Sequence, residues 1–491
     1  MSESLSAFLL DHPAADDDPI VHWIEGSVDL GELREASERA ATVLHEAGVG
    51  ADDPVAVVID SGVSALAALF GTWRAGAAAV PINGRLTDAE IDKQLATAAP
   101  AAVITARESL RTPGAATILA TGALEWSADG RATTHHPLPA GTALVMRTSG
   151  TTGESKPIVL SHAGVRDGID TSLAALRGKR DGGRPRPTAM PNLIPSSLAL
   201  WAGLWNALFA LRSGAPLVLM DRFDAVDFAT LVRRHDIRSA VLAPAMMAML
   251  VDEPTVTDLA PLRMVRSITA PLTPGQARAF SAKFAIGILN CYGQTELGGE
   301  VVGWNAADLR EYGESKLGAV GRPHDGIDVR ILDRDHLPVP EGTVGEIWIA
   351  SPYVSTAAEI TAALIDGYLR TGDLGRVDAE GFLWIVGRVS DTINRGGLKV
   401  VPQEVEDALR ALPGVADACV AGVPDERLGE VPVAWVRVEP GAMIEGPSLL
   451  AALRETLAGY KVPVAVEVVE DFPRNEIGKV LRKELVSRWT A

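Results

Sequence analysis

Thr148-Ser149-Gly150-Thr151-Thr152-Gly153-Glu154-Ser155-Lys156 is the stretch on which the reading of this chain turns. It follows the apolar run 143–146, which reads as a buried strand emptying into a loop rich in hydroxyls and glycines. Glycine lets backbone N–H groups come close to an anion, the Ser and Thr hydroxyls add donors, and Lys156 adds positive charge. Such a loop suits phosphate. It is not a Walker loop, which closes on Gly-Lys-Ser/Thr where this chain has Glu154-Ser155-Lys156-Pro157. A flexible surface turn is the plainer explanation of the same composition.

Two further signals lie downstream, Tyr292-Gly293-Gln294-Thr295-Glu296 and, close to the end of the chain, Pro473-Arg474-Asn475-Glu476-Ile477-Gly478-Lys479. Other marked segments are 71–83 (Gly-Thr-Trp-Arg-Ala-Gly-Ala-Ala-Ala-Val-Pro-Ile-Asn), Gly321-Arg322-Pro323, Gly345-Glu346-Ile347, Arg370-Thr371-Gly372-Asp373-Leu374 and Gly387-Arg388-Val389-Ser390-Asp391. In this order they resemble the motifs of the adenylate-forming superfamily, in particular its acyl- and aryl-CoA ligases. Any one motif is weak; the ordered set spans nearly the whole chain.

The resemblance implies ATP, Mg2+ and coenzyme A as reactants, with Thr148, Ser149, Gly150, Thr151, Thr152, Gly153 and Lys156 as phosphate loop. It makes Lys479 the cation between carboxylate, ribose and α-phosphate during adenylation. Thr295 would donate to phosphate, and Glu296 would hold Mg2+ through a hard carboxylate oxygen. Tyr292 would offer a face to adenine, with Asn290, Gly293 and the backbone at Ala270 around the base. Asp373 would accept the ribose hydroxyls, Arg388 would be a second ribose or phosphate contact, and Gly396 and Gly397 would line a pantetheine channel. A solvated lysine, a core tyrosine, a self-capping aspartate and a tight glycine turn are the ordinary alternatives.

The expected fold is α/β. It has a large N-terminal part, 1–388, built of two α/β sheets and a small β-barrel-like region, and a small mobile α+β lid, 389–491, hinged near Asp391. Helical periodicity at 30–47, 88–98, 402–411 and 447–458 supports this reading. So do strand-like runs at 55–60, 101–105, 216–220, 239–243, 329–332, 345–350, 382–386, 416–423, 431–438 and 464–469. A length of 491 residues exceeds one ordinary core. The glycine- and arginine-rich stretch 178–187 reads as a surface loop.

A net charge of −18 argues against nucleic acid as partner and favours a soluble cytoplasmic protein. Attraction for ATP must therefore be local. Two cysteines, Cys291 and Cys419, are too few for a disulfide framework. No basic leader is visible, and 65–80 is broken by Gly71, Arg74 and Gly76, so no membrane span is expected. A homodimer stays open.

The activity expected is activation of a small or medium apolar carboxylic acid as acyl-AMP, followed by transfer to CoA. No acid stands in 191–198 to pair with an α-ammonium group. Ile194 replaces the family's usual aromatic or histidine, and Ile268-Thr269 stands where glycines are typical, so a shortened pocket is expected. Trp201, Trp205, Met246 and Met247 are apolar candidates for its wall or for plain core. The alternatives are a standalone enzyme loading a carrier protein, a luciferase-like oxidase, and a catalytically silent nucleotide-binding relative, for which Asn394 and Asn475 would be signs of drift.

Overall fold

A computed structural model describes residues 4–59, 62–121, 124–147, 157–177, 190–354, 358–439, 441–474 and 480–489. The phosphate-loop residues, Lys479, Asn475 and the stretch 178–187 lie outside the described residues. Residues 54–161 supply a seven-stranded sheet, in spatial order Glu125–Asp129, Ala116–Thr121, Ala102–Thr105, Pro54–Ile59, Ala78–Asn83, Thr142–Arg147 and Pro157–Ser161. Its five inner strands are parallel, and their near-continuous Val, Ile and Ala content is what a sheet covered on both faces requires. Helix Val63–Arg74 packs on Leu30–Glu46 so closely that a Cβ at Gly71 would lie 2.5 Å from the Ala40 Cβ. The helix Asp88–Ala98 begins where Thr87 and Glu90 form a reciprocal capping box.

The second α/β region divides into a four-stranded and a five-stranded sheet. In the latter, Ser239–Leu242, Met264–Ser267 and Gly287–Gln294 run parallel, and Gly299–Gly303 turns back antiparallel on Gly287–Gln294. Expecting two α/β sheets in all undercounts by one. The β-rich part that follows is an open antiparallel meander of Asp328–Leu332, Gly345–Ala350, Leu369–Val377 and Leu383–Arg388. It does not close into a barrel, since four strands are too few to bring the edges together.

The next strand, Ile393–Arg395, belongs to a different sheet, with Leu398–Val400, Gly429–Val438, Val415–Asp425 and Ala465–Val468. Its own apolar core includes Val405, Leu409, Val436 and Leu453. Glu406, 1 % exposed, ties the helices of this part together. It accepts from the Val420 N–H at 2.9 Å and from Arg482 at 2.7 Å, and Arg482 also lies 3.5 Å from Asp391. Removing one partner of such a buried charged pair is strongly destabilising.

Two histidines make the fold acid-sensitive. His162 accepts the Leu5 N–H on Nδ1 at 3.1 Å, and His12 is buried near Arg34. Burial pushes both imidazoles from 6.5 down to about 4, helped at His12 by Arg34 and opposed at His162 by Asp52. The unfolded chain therefore takes up these protons first, as pH falls through 6.5. Stability should be full above that value and drop by roughly several kcal/mol in total by pH 4. Urea melts at stepped pH are the check, and His162→Gln should flatten the slope.

Candidate active site

The carboxyl ends of parallel strands are where α/β sheets place ligands, and here the strands Met264–Ser267 and Gly287–Gln294 deliver Ala270, Asn290 and Tyr292 to one end. Tyr292 is half-buried, and its hydroxyl donates to Asp373 Oδ2 at 2.6 Å. Gln294 Nε2 donates to the same oxygen at 2.8 Å and to the Thr371 carbonyl at 3.0 Å. Arg388 Nε meets Asp373 Oδ1 at 2.8 Å, the two residues facing each other across neighbouring strands. Asp373 is 4 % exposed. Burial and the Asp373 charge push the Tyr292 phenol well above its ordinary range, so it stays a neutral donor.

Tyr292, Asp373 and Arg388, up to 96 residues apart in sequence, thus form one network. Gln294 is its fourth member. It was visible inside the Tyr-Gly-Gln-Thr-Glu run but carried no role there, because only the fold shows that it faces Asp373. Of the roughly four lone-pair positions of the carboxylate, these contacts take three, which leaves one on the oxygen that faces Arg388.

Thr295 and Glu296 sit in a 3-10 turn immediately after the strand. Glu296 is half-buried and makes no hydrogen bond or ion pair among the described residues, so its carboxylate is uncommitted. The described residues contain no cluster of three or more His, Cys, Asp or Glu that could hold a metal. This donor set fits Mg2+ shared with a nucleotide, a hard cation that takes one or two protein carboxylates and fills its shell with phosphate oxygens and water.

Asn290 is 7 % exposed, and its side chain is partly spent on protein: Nδ2 donates to the Ala319 carbonyl at 3.2 Å and Oδ1 accepts the Cys291 N–H at 3.1 Å. Gly293 can only be glycine, since a Cβ there would lie 1.9 Å from the Gly299 carbonyl oxygen. Ala270 is half-buried and follows Thr269, a β-branched residue held at φ +75° where glycine is the easy choice. Gly396 and Gly397, at φ +59° and +91°, form the two-residue turn between Ile393–Arg395 and Leu398–Val400. Such a turn asks for positive φ at both positions whatever else passes by. Met246 and Met247 are core, at 8 % and 1 % exposure; Trp201 and Trp205 are half-buried against a separate apolar cluster that includes Leu204 and Leu208.

Residues 12–357 match the family model of the AMP-binding enzyme and residues 404–479 that of the AMP-binding enzyme C-terminal domain. The chain belongs to the AMP-binding enzymes, the adenylate-forming superfamily, and within it to the acyl- and aryl-CoA ligases. It is an AMP-forming acid–thiol ligase with ATP, Mg2+ and coenzyme A as its reactants.

Among its relatives, a sulfoacetate–CoA ligase from Cupriavidus necator is 33 % identical over 463 residues, covering 90 % of this chain and 88 % of its own. A fatty acid–[acyl-carrier-protein] ligase, ScoC of Streptomyces coeruleorubidus, is 31 % identical, covering 93 % and 91 %. The crystal structure of ATP-bound MatB from Rhodopseudomonas palustris superposes with a TM-score of 0.84 at 28 % identity, covering 99 % of each chain. No helix among the described residues is long and apolar enough to cross a membrane.

Proposed function

We propose that this enzyme activates a small or medium apolar carboxylic acid, aromatic or aliphatic, and passes it from AMP to CoA. The observation that carries the reading is the uncommitted Glu296 carboxylate beside the Tyr292–Asp373–Arg388 network. It gives one place for a nucleoside and, next to it, one for a metal-bridged phosphate.

A carboxylate is a poor acyl donor because its oxygen does not leave. When it attacks the α-phosphorus of ATP, a C–O–P bond forms, pyrophosphate departs and AMP becomes the leaving group. Two anions must approach, so cations have to sit where charge develops. Lys156, Arg388 and Lys479 fill that role in this reading, and Mg2+, when bound, neutralises phosphate charge from Glu296. The CoA thiolate then attacks the acyl carbon, giving thioester and AMP.

The two steps need Lys479 near the α-phosphate in the first and out of the thiol's way in the second. Residues 389–491 would therefore swing as a lid about Asp391 against 1–388, with Gly396 and Gly397 facing the pantetheine arm. The relatives act on sulfoacetate and on a fatty acid, so kinship leaves the acid open, and the carrier-loading one keeps an acyl-carrier protein as the second acceptor.

The deciding measurement is carboxylate-dependent pyrophosphate release from Mg-ATP over aromatic, alkyl and amino acids, with CoA or with a phosphopantetheinylated carrier. Release confined to amino acids would end the apolar-acid reading. Thioester on the carrier alone would replace CoA.

A further inference from the structure

Beside the Tyr292 network lies a second charged cluster that the chemistry above does not use. Arg266, on the strand Met264–Ser267, pairs with Glu300 Oε1, and His324 Nε2 meets the same oxygen at 2.8 Å. The side chains keep 24 %, 16 % and 37 % of their surface accessible, so the cluster is open to solvent. Glu300 Oε1 takes both of these partners, and the Glu300 side chain keeps part of its surface open to solvent.

The position is informative. Glu300 pairs with Gly293 across the antiparallel ladder, four residues after Glu296, and its neighbour Gly299 lies against the Trp205 indole. Arg266 is four residues before Ala270. The ladder therefore sets this cluster a short hairpin arm away from the Thr295–Glu296 turn. Next to the cluster, the Cys291 thiol gives its hydrogen to the Ser267 carbonyl at 3.1 Å, and burial holds it protonated. Burial opposes charge on Arg266 and Glu300 as well, but their mutual attraction outweighs it, so both stay ionised.

We infer that Glu300, oriented by Arg266 and His324, is a specificity-determining residue that accepts a hydrogen bond from a donor, a hydroxyl or ring N–H, at the far end of an otherwise apolar acid. The inference rests on the ligase reading and narrows its substrate class. Its second half is exclusion. With Glu300 already on Arg266, an acid carrying a second carboxylate or a sulfonate meets a carboxylate rather than a free guanidinium and is refused. A site built around a polar partner discriminates strongly against analogues that leave the partner bare.

The test is a matched acid set, unsubstituted, hydroxylated, methoxylated and carboxylated at the distal position, assayed by pyrophosphate release and titrated by calorimetry on wild type, Glu300→Gln and Glu300→Ala. Wild type should favour the hydroxyl acid over the methoxy acid by roughly tenfold to a hundredfold in kcat/KM and ignore the dicarboxylate. Glu300→Ala should bring the hydroxyl and methoxy acids within about threefold of each other and admit the dicarboxylate, because Arg266 is then unpaired. Glu300→Gln keeps an acceptor and should keep most of the hydroxyl preference.

A wild type that prefers the dicarboxylate, or a folded Glu300→Ala with the wild-type ranking, overturns the inference. If Glu300→Ala loses its cooperative melt, the wild-type ranking and Glu300→Gln decide, and a Glu300→Gln that prefers the methoxy acid counts against it. Absence of turnover with any acid in wild type, with the calorimetric ranking intact, counts against the ligase reading and not against the role of Glu300.

Discussion

Lys479→Ala should abolish acyl-AMP formation while thioester formation from supplied acyl-AMP and CoA continues near the wild-type rate. The two half-reactions make opposite demands on this side chain. In the first, two anions converge and a cation aimed at the developing charge lowers the barrier directly; losing one such group costs on the order of a thousandfold. In the second, the acyl carbon is already activated and the thiolate needs an open approach. Pyrophosphate exchange reads the first step alone, and thioester yield from synthetic acyl-AMP reads the second. Equal loss in both assays would sink the two-position account of the lid. Lys479→Arg keeps the charge but replaces a compact ammonium with a planar fork, so it should restore little.

The second large effect is expected at Asp373. Replacing it with alanine removes the acceptor of the Tyr292 hydroxyl, the Gln294 amide and Arg388 at one stroke. The Tyr292 hydroxyl is then left as a half-buried donor without an acceptor, at roughly 1–3 kcal/mol, while Gln294 keeps the Thr371 carbonyl. Arg388, with 39 % of its side chain exposed, can turn to water and adds little. The melting temperature should fall by several degrees, and the KM for ATP should rise on the order of a hundredfold, with the KM for the acid moving much less. Asp373→Asn retains an acceptor oxygen and should recover most of the stability but not the ATP affinity, since Arg388 loses its counter-charge. Equal ATP affinity in wild type and Asp373→Ala would show that the network is scaffold only.

Some of this architecture could be read directly from the residues. The helix expected at 88–98 is Asp88–Ala98, and the strand at 345–350 is Gly345–Ala350, because in both cases local chemistry, a capping box and an apolar run between turn residues, agrees with the tertiary demand. The paired strands expected at 416–423 and 431–438 come out longer, Val415–Asp425 and Gly429–Val438, because ten-residue pairing carries them past the point where apolar character ends.

What stayed hidden was pairing at a distance. Nothing in the sequence around Gln294 announces Asp373, 79 positions away, or tells that Arg266, Glu300 and His324 converge. The sheet count failed for the same reason: strand-like runs show where strands are, not where one sheet ends and another begins. The positive φ at Thr269 was foreshadowed only as a departure from glycine, and its conformation is a property of the folded backbone.

The connection between the strands Leu383–Arg388 and Ile393–Arg395 is four residues long, 389–392, and links two different sheets. Fully extended it reaches roughly 14 Å. A part of the chain held on so short a leash cannot be diluted away from its site: in the proposed cycle each return is an intramolecular encounter, at an effective concentration set by the tether and not by the cell. The lid would then compete with the incoming thiol on terms that no change in enzyme concentration can alter.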